Sequence, residues 1–207
     1  MVAISFIFSV AILIFSVIIH EVSHGAVANR LGDPTAKNAG RLTLNPLKHL
    51  DPIGTIILPI FLILTTGRGI GWAKPVPINP YNFRDQKYGS LKVAIAGPAS
   101  NLLIALFFGL LMRFTLHFNF LSPAFFQAVS FIVFVNILLA IFNLMPVPPL
   151  DGSHIFFTFM PRSMWKAQIF LSRFGFIILI FLIFFFQPFS NFLSYITGAI
   201  FNLIVGS

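Results

Sequence analysis

Long apolar runs alternate with short polar segments along the chain, and the lengths of these runs predict helices that cross a membrane. The first run continues without Gly or Pro into polar residues, which predicts one helix over residues 4–31. Residues 91–112 and 125–145 are each about 21 residues long and apolar, as a spanning helix requires. Residues 174–186 and 189–205 predict two more hydrophobic helices, either a tight hairpin or a pair lying at the interface.

The segment between the first two spans has a different pattern. Residues 53–64 are apolar, but twelve helical residues rise only about 18 Å, too little for a core of about 30 Å. Gly and Pro are dense over residues 67–90, which indicates extended strand and turn. We therefore predict an all-α polytopic membrane protein with a three-helix catalytic core, a re-entrant and extended segment between the first and second spans, and C-terminal hydrophobic helices.

We expect one membrane-embedded domain over residues 1–207, with its core at about 4–152 and the C-terminal hydrophobic helices at about 153–207. Composition agrees, because 57% of the residues are hydrophobic and 9% are charged, whereas soluble domains carry about 25% charged residues. Five acidic residues stand against 13 Lys and Arg, so the net charge of +8 reflects scarce acids and does not indicate nucleic-acid binding. The absence of Cys leaves His and carboxylate as the strong metal ligands.

Loop charges predict the topology. Nine Lys and Arg lie in residues 30–92, one in 113–124 and three in 162–173. If residues 53–64 do not cross, the first and third groups face inside, as the positive-inside rule demands. Because no Lys or Arg precedes the first run, we expect a retained helix with its N-terminus outside and not a cleaved signal.

The first helix carries the sequence H-E-x-x-H. One helical turn separates His20 from His24, so both imidazoles lie on one face with the spacing of ligands to a single zinc ion, and Glu21 has the position of a general base. The alternatives are coincidence and a polar helix end. The next charge is Arg30, about 14 Å along the helix, which places the motif at membrane depth, where polar residues are expensive and functional.

A catalytic zinc takes three protein ligands, so one is missing. The third span returns the chain to the level of His24, and Asp151 follows its end in a segment that three prolines make rigid. Asp151 is therefore the predicted ligand, the alternative being that it caps a short helix beginning near Gly152. The other candidates are Asp33 and Asp51, interpreted as turn residues, Asp85 in a polar loop, His49, His154, and His117, which the outer loop excludes.

Two asparagines near the ends of spans permit two interpretations each. Asn143 either bonds to a neighbouring helix or donates to the oxyanion of a tetrahedral intermediate. For Asn101 we favour packing, because small residues surround it and let helices approach closely.

Four motifs together resemble the site-2 protease family of intramembrane zinc metalloproteases: HEVSHG on the first helix, GWAKPVP at 71–77, AGPASN at 96–101 and FNLMPVPPLDG at 142–152. The resemblance covers residues 16–152, about two-thirds of the chain. It implies Zn²⁺ held by His20, His24 and Asp151, with Glu21 as base and Asn143 as partner of the reacting carbonyl. The chain resembles a compact, core-only member without a PDZ or nucleotide-sensing domain.

The resemblance implies hydrolysis of peptide bonds within or near transmembrane segments of membrane-protein substrates in the bilayer, in a prokaryotic cell membrane with the site towards the cytoplasm. We expect residues 67–77, including Gly71 and Trp72, to bind the unwound substrate as an added strand. The alternatives are a membrane metal-ion transporter, which predicts several ligand sets along a path, and an inactive scaffold, which predicts loss of Glu21 or a ligand. The sequence leaves the oligomeric state open.

Overall fold

The computed structural model describes residues 2–57, 60, 61, 64, 65, 71, 73–115 and 122–206. Within these ranges the regular structure is helical and contains no strand, which confirms the predicted all-α fold. Short 3₁₀ turns cover Pro46–Lys48, Pro80–Asn82 and Arg162–Met164, and one π-helical segment covers Pro52–Ile57. The α-helices are α1 (Val2–Arg30), α2 (Thr35–Asn38), α3 (Gly89–Thr115), α4 (Pro123–Asn143), α5 (Asp151–Phe159), α6 (Trp165–Phe185) and α7 (Gln187–Val205).

Five helical stretches among the described residues are long and apolar enough to cross a membrane, so the protein is a multi-pass membrane protein. They comprise most of α1, the whole of α3, α4 and α7, and α6 together with the 3₁₀ turn before it. The predicted start of the fourth stretch at residue 174 is wrong, because α6 begins at Trp165 and continues through Lys166 and Arg173. Counting only apolar residues missed these first turns, since long basic side chains near a helix end reach the membrane interface.

Three of the spanning helices form the centre of the fold. Helices α1, α3 and α4 pack on one another, α5 packs on α3, and α7 packs on both α3 and α4. Helix α6 packs on α7, and it reaches the loop before α5 at Gly175, where any Cβ atom would overlap the carbonyl oxygen of Pro148. The largest buried apolar cluster lies between α3, α4 and α7 and contains Ala105, Met112, Val129, Val133, Ile137 and Val205.

The loop between α2 and α3 is held by side chains and not by a sheet. Residues 73–79 have neither helical nor strand structure, so the predicted strand is not found there. Pro75 and Pro77 lack the N–H groups that a strand ladder uses. Instead, the buried Arg41 guanidinium donates to the carbonyl oxygens of Lys74 (2.8 Å) and Pro75 (3.3 Å), and the Lys74 N–H donates to the His49 carbonyl (2.8 Å).

Asp33 fixes the end of the same loop. Its carboxylate is fully buried and accepts hydrogen bonds from Thr35, from the Asn79 N–H (2.7 Å) and from the Asn82 side chain (2.8 Å). Burial raises the pKa of Asp33, but these hydrogen bonds outweigh it, so the pKa lies below its ordinary value. Asp33 is therefore more than the turn residue that the sequence predicted, because it ties the end of α1 to residues 79–82.

Candidate metal centre

Three side chains from distant parts of the chain bring one ligand atom each to a common point. His20 Nε2 and His24 Nε2 are 3.0 Å apart, and Asp151 Oδ2 lies 3.0 Å from the first and 3.2 Å from the second. Both histidines are buried, and 18% of the Asp151 side chain is exposed. Among the described residues this is the group of His, Asp and Glu side chains arranged to hold a metal ion.

Hydrogen bonds on the far side of each ring determine where its proton sits. His20 Nδ1 lies 2.6 Å from Asn101 Oδ1, and His24 Nδ1 lies 2.7 Å from the carbonyl oxygen of Val93. Both partners are acceptors, so each Nδ1 carries the hydrogen and each Nε2 presents a lone pair. Asp151 Oδ2 is also buried and has no hydrogen-bond donor.

The types of donor atom and the distances between them suit a zinc ion. Three lone-pair atoms face one another at 3.0–3.2 Å, which is repulsive unless a cation lies among them. Zinc bonds to His and carboxylate are about 2.0–2.2 Å long, so neighbouring ligands of a tetrahedral ion lie about 3.3 Å apart. Two imidazoles and one carboxylate, with access for a water molecule, form the ligand set of a catalytic zinc site.

Helix α3 supplies the back wall of the site through three residues spaced four apart. Asn101 contacts His20, Val93 contacts His24, and Gly97 lies between them. A Cβ atom on Gly97 would overlap the Nε2 atoms of both imidazoles. Only glycine therefore leaves room for the two rings to converge, and this explains a glycine that sequence analysis assigned to helix packing.

A tightly folded loop before α5 positions Asp151 at the metal centre. It is the first residue of α5, and Leu150 occupies the N-cap position without a side-chain capping bond. The alternative that Asp151 caps this helix is therefore not observed, since its carboxylate points to the imidazoles. A Cβ atom on Gly152 would overlap the carbonyl oxygens of Leu144 and Met145, so the loop folds closely back on itself.

Glu21 lies beside the cluster and has one hydrogen bond that fixes its direction. Its Oε2 accepts from the backbone N–H of Val76 at 3.0 Å. Pro75 and Pro77 have no N–H, so Val76 supplies the single backbone donor of this trio. This hydrogen bond links α1 to residues 74–77, the KPVP segment, and it was not predicted from the sequence.

The remaining predicted residues lie in various places. Asn143 ends α4, and its amide donates to the Leu139 carbonyl of its own helix (2.9 Å), not to a neighbouring helix. Gly71 is exposed, while Trp72 lies outside the described residues. His154 is exposed on α5, and His49 is buried and bonds to the Thr43 carbonyl (2.8 Å).

Asn101 bonds to neighbouring helices, and one of these bonds goes directly to His20, a contact that was not predicted. Two further polar residues were missed, Ser16 on α1 and Asn136 on α4. The Asn136 amide donates to Ser16 Oγ, and the Asn101 amide donates to the Asn136 oxygen and to the Ser16 carbonyl. The available signal was their polarity inside apolar spans, since such residues in membrane helices are expensive.

Comparison with known proteins gives consistent similarities. The model of peptidase family M50 matches residues 119–182. The chain is 38% identical over 186 residues to the Bacillus subtilis protein named Putative zinc metalloprotease YwhC, a match covering 87% of this chain and 80% of that protein. It is 35% identical over 150 residues to the Mycolicibacterium smegmatis protein named Putative zinc metalloprotease Rip2, and 31% identical over 147 residues to the Mycobacterium tuberculosis protein of that name.

The matches to the two mycobacterial proteins cover 71% of this chain but 55% of each relative, so the chain spans about half of their length. No solved structure matches the chain significantly. The names of these relatives give zinc as their metal, in agreement with the donor set of His20, His24 and Asp151.

Proposed function

Because the chain belongs to peptidase family M50, the site-2 protease family, we propose that it hydrolyses peptide bonds within or next to transmembrane segments of other membrane proteins. The proposal rests on one observation above all. Two imidazoles on a helix apolar enough to cross a bilayer converge with the Asp151 carboxylate, beside Glu21. Its substrates are membrane proteins that present a transmembrane helix, and its surroundings are lipid.

The metal ligands in this proposal are His20, His24 and Asp151. A zinc ion held by these three residues would supply Lewis-acid activation of the attacking water and of the peptide carbonyl oxygen. Asn101 and the Val93 carbonyl keep the Nε2 lone pairs directed at the ion through their bonds to the two Nδ1 atoms.

Glu21 moves the proton. Its carboxylate takes a proton from the attacking water as the new bond to the peptide carbon forms, and then gives it to the leaving amine nitrogen as the C–N bond breaks. The Val76 N–H holds one carboxylate oxygen, which leaves the other free to face the water. Because Glu21 is partly buried, bulk water competes little for that oxygen.

Asn143 stabilises the charge that develops on the carbonyl oxygen. Its amide has two hydrogens, and the hydrogen bond to the Leu139 carbonyl engages Nδ2 within its own helix. The second hydrogen is available to an oxyanion, since Asn143 ends α4 and is only partly buried.

A substrate helix hides its carbonyl groups in its own hydrogen bonds and must unwind before attack. The unwound backbone needs new partners, and we assign this role to the stretch 67–77, including Gly71 and Trp72. The donors of Lys74 and Val76 and the carbonyls of Lys74 and Pro75 already have partners within the protein. Within the described part of the stretch, these four groups are therefore not available to the substrate.

Proline at Ile70 and Trp72 removes two backbone donors from this stretch. We expect the double variant to lose cleavage while its zinc content stays at the wild-type value, measured on a purified model substrate and by metal analysis. Proline at Lys37, on the short α2, is the control for a proline introduced elsewhere between α1 and α3, and this variant should still cleave. Normal turnover by the double variant contradicts the assignment.

The site faces the cytoplasm of a prokaryotic cell in this proposal. Nine of the 13 Lys and Arg residues fall in the segment 30–92, which lies between the first two spanning helices and contains Arg41 and Lys74 close to the site. Water approaches the site from this side, through the polar loop of residues 32–52.

The decisive experiment compares the purified protein with its Glu21→Gln variant on a model transmembrane substrate. Gln keeps the size of the side chain and an oxygen that accepts from Val76, but it is not basic. We expect cleavage to fall by about 10²- to 10⁴-fold with equal zinc content in both proteins. Equal cleavage by both proteins contradicts the role of Glu21 as the base, and absence of cleavage by the wild type contradicts a protease. Zinc transport that survives in the variant supports a metal-ion transporter.

A further inference from the structure

A chain of buried hydrogen bonds crosses three membrane helices and ends at the metal centre. The Asn136 amide nitrogen on α4 donates to Ser16 Oγ on α1 (2.9 Å) and to the Ile132 carbonyl (2.9 Å). The Asn136 oxygen accepts from the Asn101 amide nitrogen on α3 (2.8 Å), and the Asn101 oxygen meets His20 Nδ1 (2.6 Å). We call Ser16, Asn101 and Asn136 the amide relay.

The relay has one possible direction. The Ile132 carbonyl can only accept, so the Asn136 nitrogen must point to it and the Asn136 oxygen must point to Asn101. Asn101 then has to present its nitrogen to Asn136 and its oxygen to His20. Two backbone carbonyls thereby fix which nitrogen of His20 carries the hydrogen: Ile132 on α4, acting through Asn136, and Ser16 on α1, which accepts directly from the Asn101 nitrogen over a longer distance (3.3 Å).

The relay is isolated from water. Asn101 and Asn136 are fully buried, and Ser16 and His20 are 4% and 6% exposed. An unpaired amide in such surroundings costs several kcal/mol, so no member of the relay can reverse alone without leaving donors facing donors. The amide of Asn101 is therefore held in one orientation, although an isolated asparagine can turn over freely.

We propose that Asn136 is a positioning residue for the zinc ligand His20, acting through Asn101. Asn136 lies outside every motif that indicates the family, and it touches neither the metal site nor Glu21 in the described residues. Its effect is to keep the His20 Nε2 lone pair aimed at the ion. The inference rests on the zinc site and not on proteolysis, so zinc binding tests it directly.

The first test replaces Asn136 with Leu, which has nearly the same size and no acceptor. Asn101 then keeps only its longer bond to the Ser16 carbonyl (3.3 Å), so its amide turns over more readily and presents nitrogen to His20. Outer partners of metal-ligating histidines typically contribute 10- to 100-fold. Because Asn136 acts through an intermediate residue, we expect zinc release to a chromogenic chelator to accelerate about tenfold. We also expect the visible spectrum of the Co²⁺-loaded protein to change.

Ser130→Ala is the matched control. Ser130 lies on the same helix and contacts the Met112 sulfur on α3 (3.9 Å), away from the relay. This variant should release zinc at the wild-type rate and keep the wild-type Co²⁺ spectrum. Ser16→Ala removes one partner of Asn136 but leaves the Ile132 carbonyl, so a change of about twofold is expected and folding is preserved.

Asn136 could instead have a purely structural role as a bond between helices. Making the Asn136→Leu change in a protein that already carries Asn101→Asp distinguishes this role from a positioning role. A carboxylate offers an oxygen in both directions, so it accepts from His20 Nδ1 whatever Asn136 presents. In this background Asn136→Leu should no longer accelerate zinc release. If the acceleration is equal in both backgrounds, or if Asn136→Leu alone releases zinc at the wild-type rate, the proposal is overturned.

These outcomes are distinct from a failure of the protease proposal. If the wild-type protein and its Glu21→Gln variant bind zinc alike but neither cleaves, the relay is still tested by zinc release. If cleavage depends on Glu21 but Asn136→Leu leaves the release rate unchanged, only the relay is wrong.

Discussion

The half of the molecule around α1, α3 and α4 differs sharply from the C-terminal hairpin of α6 and α7 in its buried polar groups. In the first half, Ser16, His20, His24, Asn101 and Asn136 are buried and bonded between helices. In the described hairpin, Thr197 is the buried polar side chain, and its hydroxyl has no partner. Both halves face lipid, so the membrane alone does not explain the difference.

The contrast shows where this protein accepts the cost of burying polar atoms. Removing an unpaired polar group from water costs several kcal/mol, and a bilayer offers no compensation. In the first half, the amides of Asn101 and Asn136 are hydrogen-bonded, and these and neighbouring bonds orient His20 and His24. The hairpin instead exposes large apolar side chains on α6, among them Ile177 at 63% and Phe185 at 75%, as suits a surface in contact with lipid.

We expect the largest loss of zinc binding when one methyl group is added beside the metal centre, and the same addition in the hairpin serves as the control. Gly97→Ala puts a Cβ atom onto the Nε2 atoms of His20 and His24, so the rings cannot converge on one ion. We expect zinc affinity to fall by more than about 100-fold and cleavage to be lost with it, measured by metal competition and substrate turnover.

Gly198→Ala on α7 is the matched control, because a Cβ atom there meets nothing within 4 Å. It should leave zinc binding unchanged, and its stability should stay equal or rise slightly, since Ala favours a helix by about 1 kcal/mol over Gly. Zinc binding at wild-type affinity in Gly97→Ala contradicts the geometry of the metal centre.

The sequence was sufficient to predict the parts of this contrast that depend on local spacing. Two histidines one turn apart follow from H-E-x-x-H on a helix, and the spanning helices α3 and α4 follow from the lengths of their apolar runs. The partners of Asn101 and Asn136 could not be predicted, because an amide in a span is compatible with any neighbouring helix. Their bonds depend on how three helices are rotated about their axes.

Gly97 also shows that the sequence does not identify the partner of a residue in a span. A small residue in a span predicts close approach, and close approach is found, but to two imidazole rings and not to a helix backbone. The KPVP segment is a second example, since neither its link to Glu21 nor its support by Arg41 has a local signal. Contacts between residues 33 and 55 apart in the chain determine the support by Arg41 and the link to Glu21, respectively.

A smaller effect is expected outside the membrane, where Asp33 extends the bonded half into the loop. Asp33→Asn keeps the shape but replaces one acceptor oxygen with a donor that faces Thr35 or Asn79. We expect the free energy of unfolding to fall by about 1–3 kcal/mol at pH 7, measured by denaturation in detergent. Asp51→Asn is the control, since the Asp51 carboxylate serves a local turn at Ile53 and Gly54.

The difference between wild type and Asp33→Asn should also depend on pH. The pKa of Asp33 is lower in the folded protein than its ordinary value of 3.8, so its stabilisation is fully present above pH 3.8 and is lost as the pH falls through the folded pKa. The difference should therefore be equal at pH 7 and pH 5 and shrink below about pH 4. A difference that grows as the pH falls contradicts the hydrogen bonds assigned to Asp33.

The smallest change in stability is expected at Thr197, and whether stability rises or falls is the informative result. Thr197→Val replaces a fully buried hydroxyl that has no partner among the described residues with a methyl group of similar size. Because no hydrogen bond is lost and an unpaired polar atom is removed, stability should stay equal or rise by up to about 1 kcal/mol, with zinc affinity unchanged. The paired measurement is Asn136→Leu, where the same kind of change should destabilise the protein because Asn101 and Ser16 lose their partner. If Thr197→Val instead costs as much as Asn136→Leu, the hairpin also depends on polar bonding, and the division into a bonded half and an apolar hairpin is wrong.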